Sequence, residues 1–187
     1  MAKPVRIVFE THSLTVDNEA GRATGWLAGR LSERGRGLAA ELGARRRNDG
    51  VAAVYTSDLG RAVETSEIAL SGSGIPVIQD PRLRECNYGR LNGSPTAYLG
   101  ADGPMALDQP YPDGESWRQA IGRVIGFLEE LEETRGGERI LVIGHMSAWY
   151  ALESRSKHLT LDQAVARPMR WQPGWEYTLP PPGRDAP

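Results

Sequence analysis

Four side chains with the chemistry of group transfer follow short apolar runs in this chain: His12, Arg61, Glu85 and His145. Two imidazoles, a guanidinium and a carboxyl group suit transfer of a phosphoryl group. A neutral imidazole can attack phosphorus and hold it covalently. A guanidinium offsets charge on the equatorial oxygens, where positioning and electrostatics supply most of the catalysis. A carboxylic acid can protonate the departing oxygen and then take a proton from the attacking water. The same groups are open to other uses: acid–base work on a substrate without phosphate, or binding of an anion at Arg61 without turnover. A metal hydrolase built on His12, His145 and Asp58 is a further alternative, but the His-Glu-x-x-His spacing that would mark it is absent.

These side chains need a scaffold that carries them to one place. Ile7-Val8-Phe9 has the composition of a buried strand and ends at Thr11-His12-Ser13. Leu14 to Arg30 reads as a loop of small and polar residues. A helix is expected from Ser32, an N-cap type, with Leu31, Leu38 and Leu42 on one face and Arg45-Arg46-Arg47 as its solvated C-terminus. Val51 to Tyr55 predicts a second strand, stopping at Thr56-Ser57-Asp58, with Ser57 or Asp58 capping a helix that carries Arg61 in its first turn and runs to about Leu70. A guanidinium there makes an anion site, since charge and free amide groups act together.

Ile75 to Ile78 predicts a third strand, at an edge because of Pro76. Asp80 to Glu85 then leads into Cys86–Asp113, a Gly-, Pro- and Asn-rich segment expected to cover a pocket. The capping box at Ser116–Gln119 opens a strongly amphipathic helix over Trp117, Ile121, Val124, Leu128 and Leu131. Ile140 to Ile143 is apolar on both faces, the pattern of a central strand, and ends at Gly144-His145. A helix from Ser147, a short one at Thr160–Gln163 and a last strand over Trp175–Leu179 follow. Strands alternating with helices predict an α/β fold: one three-layer α/β/α domain over residues 1–179, with a mostly parallel central sheet and a disordered tail over 180–187. In such a sheet, ligands bind beyond the carboxyl ends of the strands.

The 187 residues suffice for one full core. A hydrophobic content of 40%, a charged content of 25% and a net charge of −2 describe an ordinary soluble protein. That charge argues against nucleic acid or an anionic membrane as a partner. Cys86 stands alone, which excludes an intrachain disulfide and a cysteine-based zinc site. No signal peptide or membrane-length apolar run is present, so a cytoplasmic protein is expected.

Six stretches, in order, resemble the histidine phosphatase superfamily, the phosphoglycerate-mutase-like proteins, between about Val5 and Glu153. They are Thr11-His12-Ser13-Leu14-Thr15 with Asn18; Gly21-Arg22 and Gly25-Trp26; Leu31-Ser32-Glu33-Arg34-Gly35; Thr56-Ser57-Asp58-Leu59-Gly60-Arg61-Ala62 with Thr65; Leu83-Arg84-Glu85 with Gly89 and Asn92-Gly93; and Gly114-Glu115-Ser116 followed by Gly144-His145. The resemblance implies a phosphatase that needs no cofactor or metal and hydrolyses a small phosphorylated or anionic metabolite, as a monomer or homodimer. It implies His12 as the phosphorylated nucleophile, Glu85 as proton donor and His145 as the second pocket histidine. Thr11, Ser13, Asn18, Arg22, Ser57 and Arg61 are the implied phosphate or substrate ligands.

Two positions depart from the family pattern. Thr11 stands where the family has arginine, and Ser13 where it has glycine. Losing a clamp on the transferring group costs about a hundred- to a thousandfold in rate if uncompensated. It also removes a positive charge that would help keep His12 neutral; the Thr11 and Ser13 hydroxyls can donate hydrogen bonds but not charge, and Arg22 or Arg84 swinging in is the other alternative. Met146, where relatives often have a small residue, is expected to narrow the pocket. The segment between Glu85 and Ser116 is short and poor in arginine for holding a second phosphate, which favours a phosphatase over a mutase.

Overall fold

A computed structural model describes residues 3–99 and 107–181. Five strands form one sheet in the order β3-β2-β4-β1-β5. They are β1 (Val5–Thr11), β2 (Ala53–Thr56), β3 (Val77–Gln79), β4 (Arg139–Gly144) and β5 (Trp175–Leu179). β1 to β4 run parallel and β5 is antiparallel to β1. β4 lies at the centre, as its doubly apolar pattern predicts, and β3 at an edge just after Pro76. That strand begins two residues later than expected.

Strand alternation sorts the core into two layers. Val8, Val54, Leu141 and Ile143 face α2 (Glu33–Arg46) and α3 (Gly60–Leu70). Ile7, Phe9, Tyr55, Ile140 and Val142 face α4 (Trp117–Thr134) and α5 (Met146–Lys157). The result is the three-layer α/β/α fold that the alternation of strands and helices predicts. Ser32 caps α2 by accepting from Gly35 N–H, and Ser116 with Gln119 makes the reciprocal cap of α4. α5 starts at Met146, one residue early, and α6 (Leu161–Val165) follows the Thr160 capping box.

Three expectations need correction. The Leu14–Arg30 stretch is not all loop: α1 (Val16–Glu19) forms there, closed by reciprocal bonds between Thr15 and Asn18. Neither Ser57 nor Asp58 caps α3, whose N-cap is Leu59. Both side chains are held by other partners, described below. The arginine run is not a solvated C-terminus either. Arg45 and Arg46 pair with buried Glu10 at 3.3 and 2.9 Å, and Arg47 donates to the carbonyls of Ala69 and Ile68. These contacts span long sequence separations, so local pattern carries no trace of them. Residues 182–187 of the expected tail lie outside the described residues.

α2 approaches its neighbours through two glycines. A Cβ on Gly35 would overlap the Leu14 carbonyl oxygen, and one on Gly43 the Ala69 carbonyl oxygen at the end of α3. Helix propensity alone favours alanine over glycine by about 1 kcal/mol. The overlap reverses that sign. Gly43→Ala is expected to destabilise the protein by about 1–3 kcal/mol, read as a lower urea midpoint at unchanged m. A stabilised Gly43→Ala protein would refute the close packing of α2 on α3.

Candidate active site

Sheet register brings three strand ends flush. Thr11 of β1 pairs with Gly144 of β4, and Ile143 of β4 with Thr56 of β2. The His12 amide continues the ladder by donating to Gly144 O at 2.9 Å. His12, His145 and Ser57, each one residue past its strand, therefore meet at one edge. The His12 and His145 ring centroids are 5.0 Å apart.

Arg61, in the first turn of α3, lies between the rings and is only 2% exposed. Its Nε donates to His12 Nε2 at 3.3 Å and its Nη2 to His145 Nδ1 at 3.3 Å. Nη2 and Nη1 also reach the carbonyls of Gly25 at 2.9 Å and Leu27 at 3.1 Å. All four acceptors are neutral. Burial pulls Arg61 below the ordinary guanidinium range, and the Glu85 carboxylate opposes that pull. A buried cation whose contacts carry no negative charge is costly, and an incoming anion relieves that cost.

The same contacts define both imidazoles. His12 Nδ1 lies 2.7 Å from its neighbour's carbonyl, Ser13 O, which can only accept, so Nδ1 carries the proton. Nε2, receiving the Arg61 bond, keeps its lone pair. Burial first, and then Arg61, push the His12 pKa down from 6.5 to about 3; the Ser13 carbonyl opposes this only in part. His145 is pushed well below its usual value by burial, Arg61, His12 and Arg123. Its Nδ1 faces the Arg61 donor, so Nε2–H points to Ser57 Oγ at 2.7 Å. The loss of arginine at position 11 therefore does not leave His12 prone to protonation, contrary to expectation. Burial and Arg61 suffice to keep it neutral.

Glu85 arrives from β3 through a single 3-10 turn, Pro81–Leu83. Its carboxylate accepts from three backbone amides: Cys86 at 2.9 Å, Met146 at 3.1 Å and Ser147 at 3.2 Å. The last two belong to the first turn of α5, whose free N–H groups attract an anion. Ser147 Oγ anchors the same segment by donating to Arg84 O. Adjacent Cys86 is buried, and burial pushes its thiol up, away from nucleophilic use.

A cleft of about 230 Å³ contains His12, Arg61 and Glu85, with Asn18, Arg22 and Met146 on its walls. Sequence reasoning missed Thr24 and Tyr88, which also line it. The Cys86–Asp113 segment borders it through Tyr88, Thr96 and Leu99, pinned by a bridge between Arg22 and Pro95. Residues 100–106 of that segment lie outside the described residues. Asn18 is shared between this wall and the α1 cap, where its Oδ1 accepts from Thr15 N–H. Arg22, near the rim, donates to Gly93 O.

Other named residues are placed differently. Ser13 Oγ donates to Gly35 O and its amide to Thr65 Oγ1, so it braces the nucleophile's loop. Thr11 and Ser13 border a neighbouring cleft of about 280 Å³, which shares His12 and Asn18 with the first. Ser57 serves the site through His145. Arg84 does not swing in: it is paired with Asp58 at 2.5 Å and stacked on Trp26 at 4.6 Å. Among the described residues, no three His, Cys, Asp or Glu side chains gather into a metal-binding group.

The model of the histidine phosphatase superfamily (branch 1) matches residues 7–172. The chain belongs to that superfamily. A probable phosphoglycerate mutase, GpmB of Erwinia tasmaniensis, is 35% identical over 117 residues, covering 63% of this chain and 49% of that protein. The match thus spans about half the length of this curated relative. YhfR of Bacillus stearothermophilus superposes with a TM-score of 0.82 at 28% identity, covering 92% of this chain and 90% of that one. A mycobacterial glucosyl-3-phosphoglycerate phosphatase, at 24% identity and a TM-score of 0.72 over 89% and 84% of the two chains, shares the fold. No helix among the described residues is long and apolar enough to cross a membrane.

The lowered His12 pKa has a signed consequence. Below pH 6.5 the unfolded chain takes up a proton at His12 that the folded chain refuses down to about pH 3. Stability should therefore fall as pH drops through that window and be insensitive to His12 above it. His12→Asn should flatten this slope, seen in urea midpoints between pH 7 and 4. In ¹⁵N spectra at pH 5, His12 should show the neutral Nδ1–H tautomer; an imidazolium there would contradict the site's electrostatics.

Proposed function

We propose that this protein is a phosphomonoesterase that hydrolyses a small phosphorylated metabolite through a phosphohistidine on His12. The observation that carries this reading is the unprotonated Nε2 of His12, 3.3 Å from the Arg61 guanidinium that would hold the phosphoryl oxygens. Nucleophile and charge clamp are thus already adjacent, the arrangement in which positioning lowers the barrier most.

In the first step the His12 Nε2 lone pair forms a bond to phosphorus while the P–O ester bond breaks. The Glu85 carboxylate takes a proton from the entering phosphate monoanion and passes it to the departing oxygen, which leaves as the alcohol. In the second step Glu85, now ionised, accepts a proton from water as its oxygen attacks phosphorus. The N–P bond breaks, phosphate departs and His12 regains its lone pair. Entry of the anion reverses the field of Arg61 on His145, which favours a proton on Nδ1 and a further donor to the equatorial oxygens. Arg22 supplies the second guanidinium at the rim, a partial replacement for the arginine absent at Thr11. Asn18 lies on the same wall; Ser57, Ser13 and Thr11 support the two histidines' surroundings.

Hydrolysis is favoured over mutase chemistry because Arg22 and Arg61 are the cations on the cleft wall among the described residues. A mutase must grip a second anionic group while the first is transferred. The net charge of −2 supports a small-molecule substrate rather than nucleic acid or an anionic membrane. We assign the protein to the cytoplasm, working without metal or cofactor as a monomer or homodimer.

Incubation with a ³²P-labelled aryl phosphate and a quench in alkaline denaturant should leave a label on His12 that is labile to acid and stable to base. His12→Ala should abolish both label and turnover, and a chelator should change neither. Turnover without any phosphorylated residue would overturn the covalent route. Thr11→Arg should raise turnover about ten- to a hundredfold, the worth of a charge-assisted hydrogen bond of about 1.5–3 kcal/mol. A second reading, acid–base chemistry on a substrate without phosphate, is favoured by Thr11 itself. It displaces the first if Thr11→Arg leaves phosphate-ester turnover at zero and destroys another activity.

A further inference from the structure

Arg123 lies on α4, a helix whose apolar stripe packs against the sheet, and its guanidinium is directed at the segment that carries Glu85. Nη1 donates to Arg82 O at 2.8 Å and Arg84 O at 2.6 Å, and Nη2 to Glu85 O at 2.8 Å. Nε and Nη2 both bond the Glu115 carboxylate at 2.9 Å. A guanidinium has five N–H donors, and five acceptors are met here. Three of them are consecutive or near-consecutive carbonyls of the turn that aims Glu85. Trp26 Nε1 adds a second donor to Glu85 O at 2.6 Å, and Arg84 stacks on that same indole. Glu115 closes the frame by accepting from Asn87 N–H at 2.9 Å.

From this geometry we infer that Arg123 is the positioning residue for the Glu85 proton donor, with Glu115 orienting its guanidinium and Trp26 as a second brace; the inference rests on the phosphatase reading above. A carbonyl clamp of this kind touches neither the cleft nor the phosphoryl site, so it acts on the leaving-group oxygen only through Glu85. A displaced acid matters most where the leaving group needs its proton. Alkyl phosphates release a weakly acidic alcohol and depend on that proton; nitrophenyl phosphate releases an acidic phenol and depends on it little. Lysine cannot stand in for Arg123, because three donors on a point charge do not span five acceptors held in a plane.

The test compares kcat/KM, which reports the steps up to the phosphohistidine, for 4-nitrophenyl phosphate and glycerol 2-phosphate. In Arg123→Lys the glycerol ester should lose about a hundredfold and the nitrophenyl ester less than about fivefold, within the about 10²–10⁴ range of general-acid assistance. If Arg123→Lys does not fold, as judged by its thermal transition, Trp26→Phe tests the same point. It keeps a ring beneath Arg84 but deletes the N–H to Glu85 O, and should give the same selective loss at about tenfold. Equal losses for both esters in the folded variant would mean a general structural role and overturn the inference. A wild-type protein that hydrolyses neither ester overturns the phosphatase reading, and this inference with it.

Discussion

The site depends on one buried guanidinium. Arg61 is almost wholly enclosed, yet its contacts are two carbonyls and two neutral imidazoles. No exposed ion pair would hold so much organisation, because solvent screening reduces such pairs to little net value. Buried, the charge acts at close range and with little screening on both rings, pushing His12 and His145 down alongside burial itself. It thereby does two things at once: it keeps lone pairs on the imidazoles, and it leaves the cleft with a positive charge for an anion to answer.

The rest of the fold can be understood as holding that charge in place. β1, β4 and β2 end level, so the residues one step beyond them converge without long loops. α3 begins where Arg61 can reach between the two histidines, and Thr65 one turn later braces Ser13 while donating to Arg61 O. The opposite wall is built on α5, whose first amides receive Glu85, and α4 contributes Arg123, which holds the Glu85 backbone from outside the cleft. α3 thus delivers a cation to one side of the cleft, and the first amides of α5 hold a carboxylate on the other. The sheet itself supplies only register.

Much of this was legible in the residues. The doubly apolar Ile140–Ile143 run predicts its central place, and Ser32 and Ser116 predict their helix starts because capping is a local interaction. The four chemical residues were legible because each follows an apolar run that has to be a strand. What was not legible depends on partners distant in the chain. The α1 turn is four residues long, too short for a period to show. Arg45 and Arg46 look like a solvated basic end until Glu10, 35 and 36 residues away, is placed against them. Ser57 has the residue type of a cap but is drawn to His145 instead, and Leu59 takes the cap position. Arg123 looks like part of the polar face of an amphipathic helix; three of its five acceptors are backbone carbonyls, which carry no sequence signature.

The central claim is that Arg61 and His12 together form the receptor for a phosphoryl group. A crystal structure with orthovanadate tests it most directly, since vanadate adopts the five-coordinate geometry of the transferring group. Vanadium bonded to His12 Nε2, its equatorial oxygens on Arg61 and His145 and an apical oxygen directed at Glu85, is the predicted result. Vanadate bound away from His12, or held by Arg45 in the neighbouring cleft with Arg61 unchanged, would contradict the account.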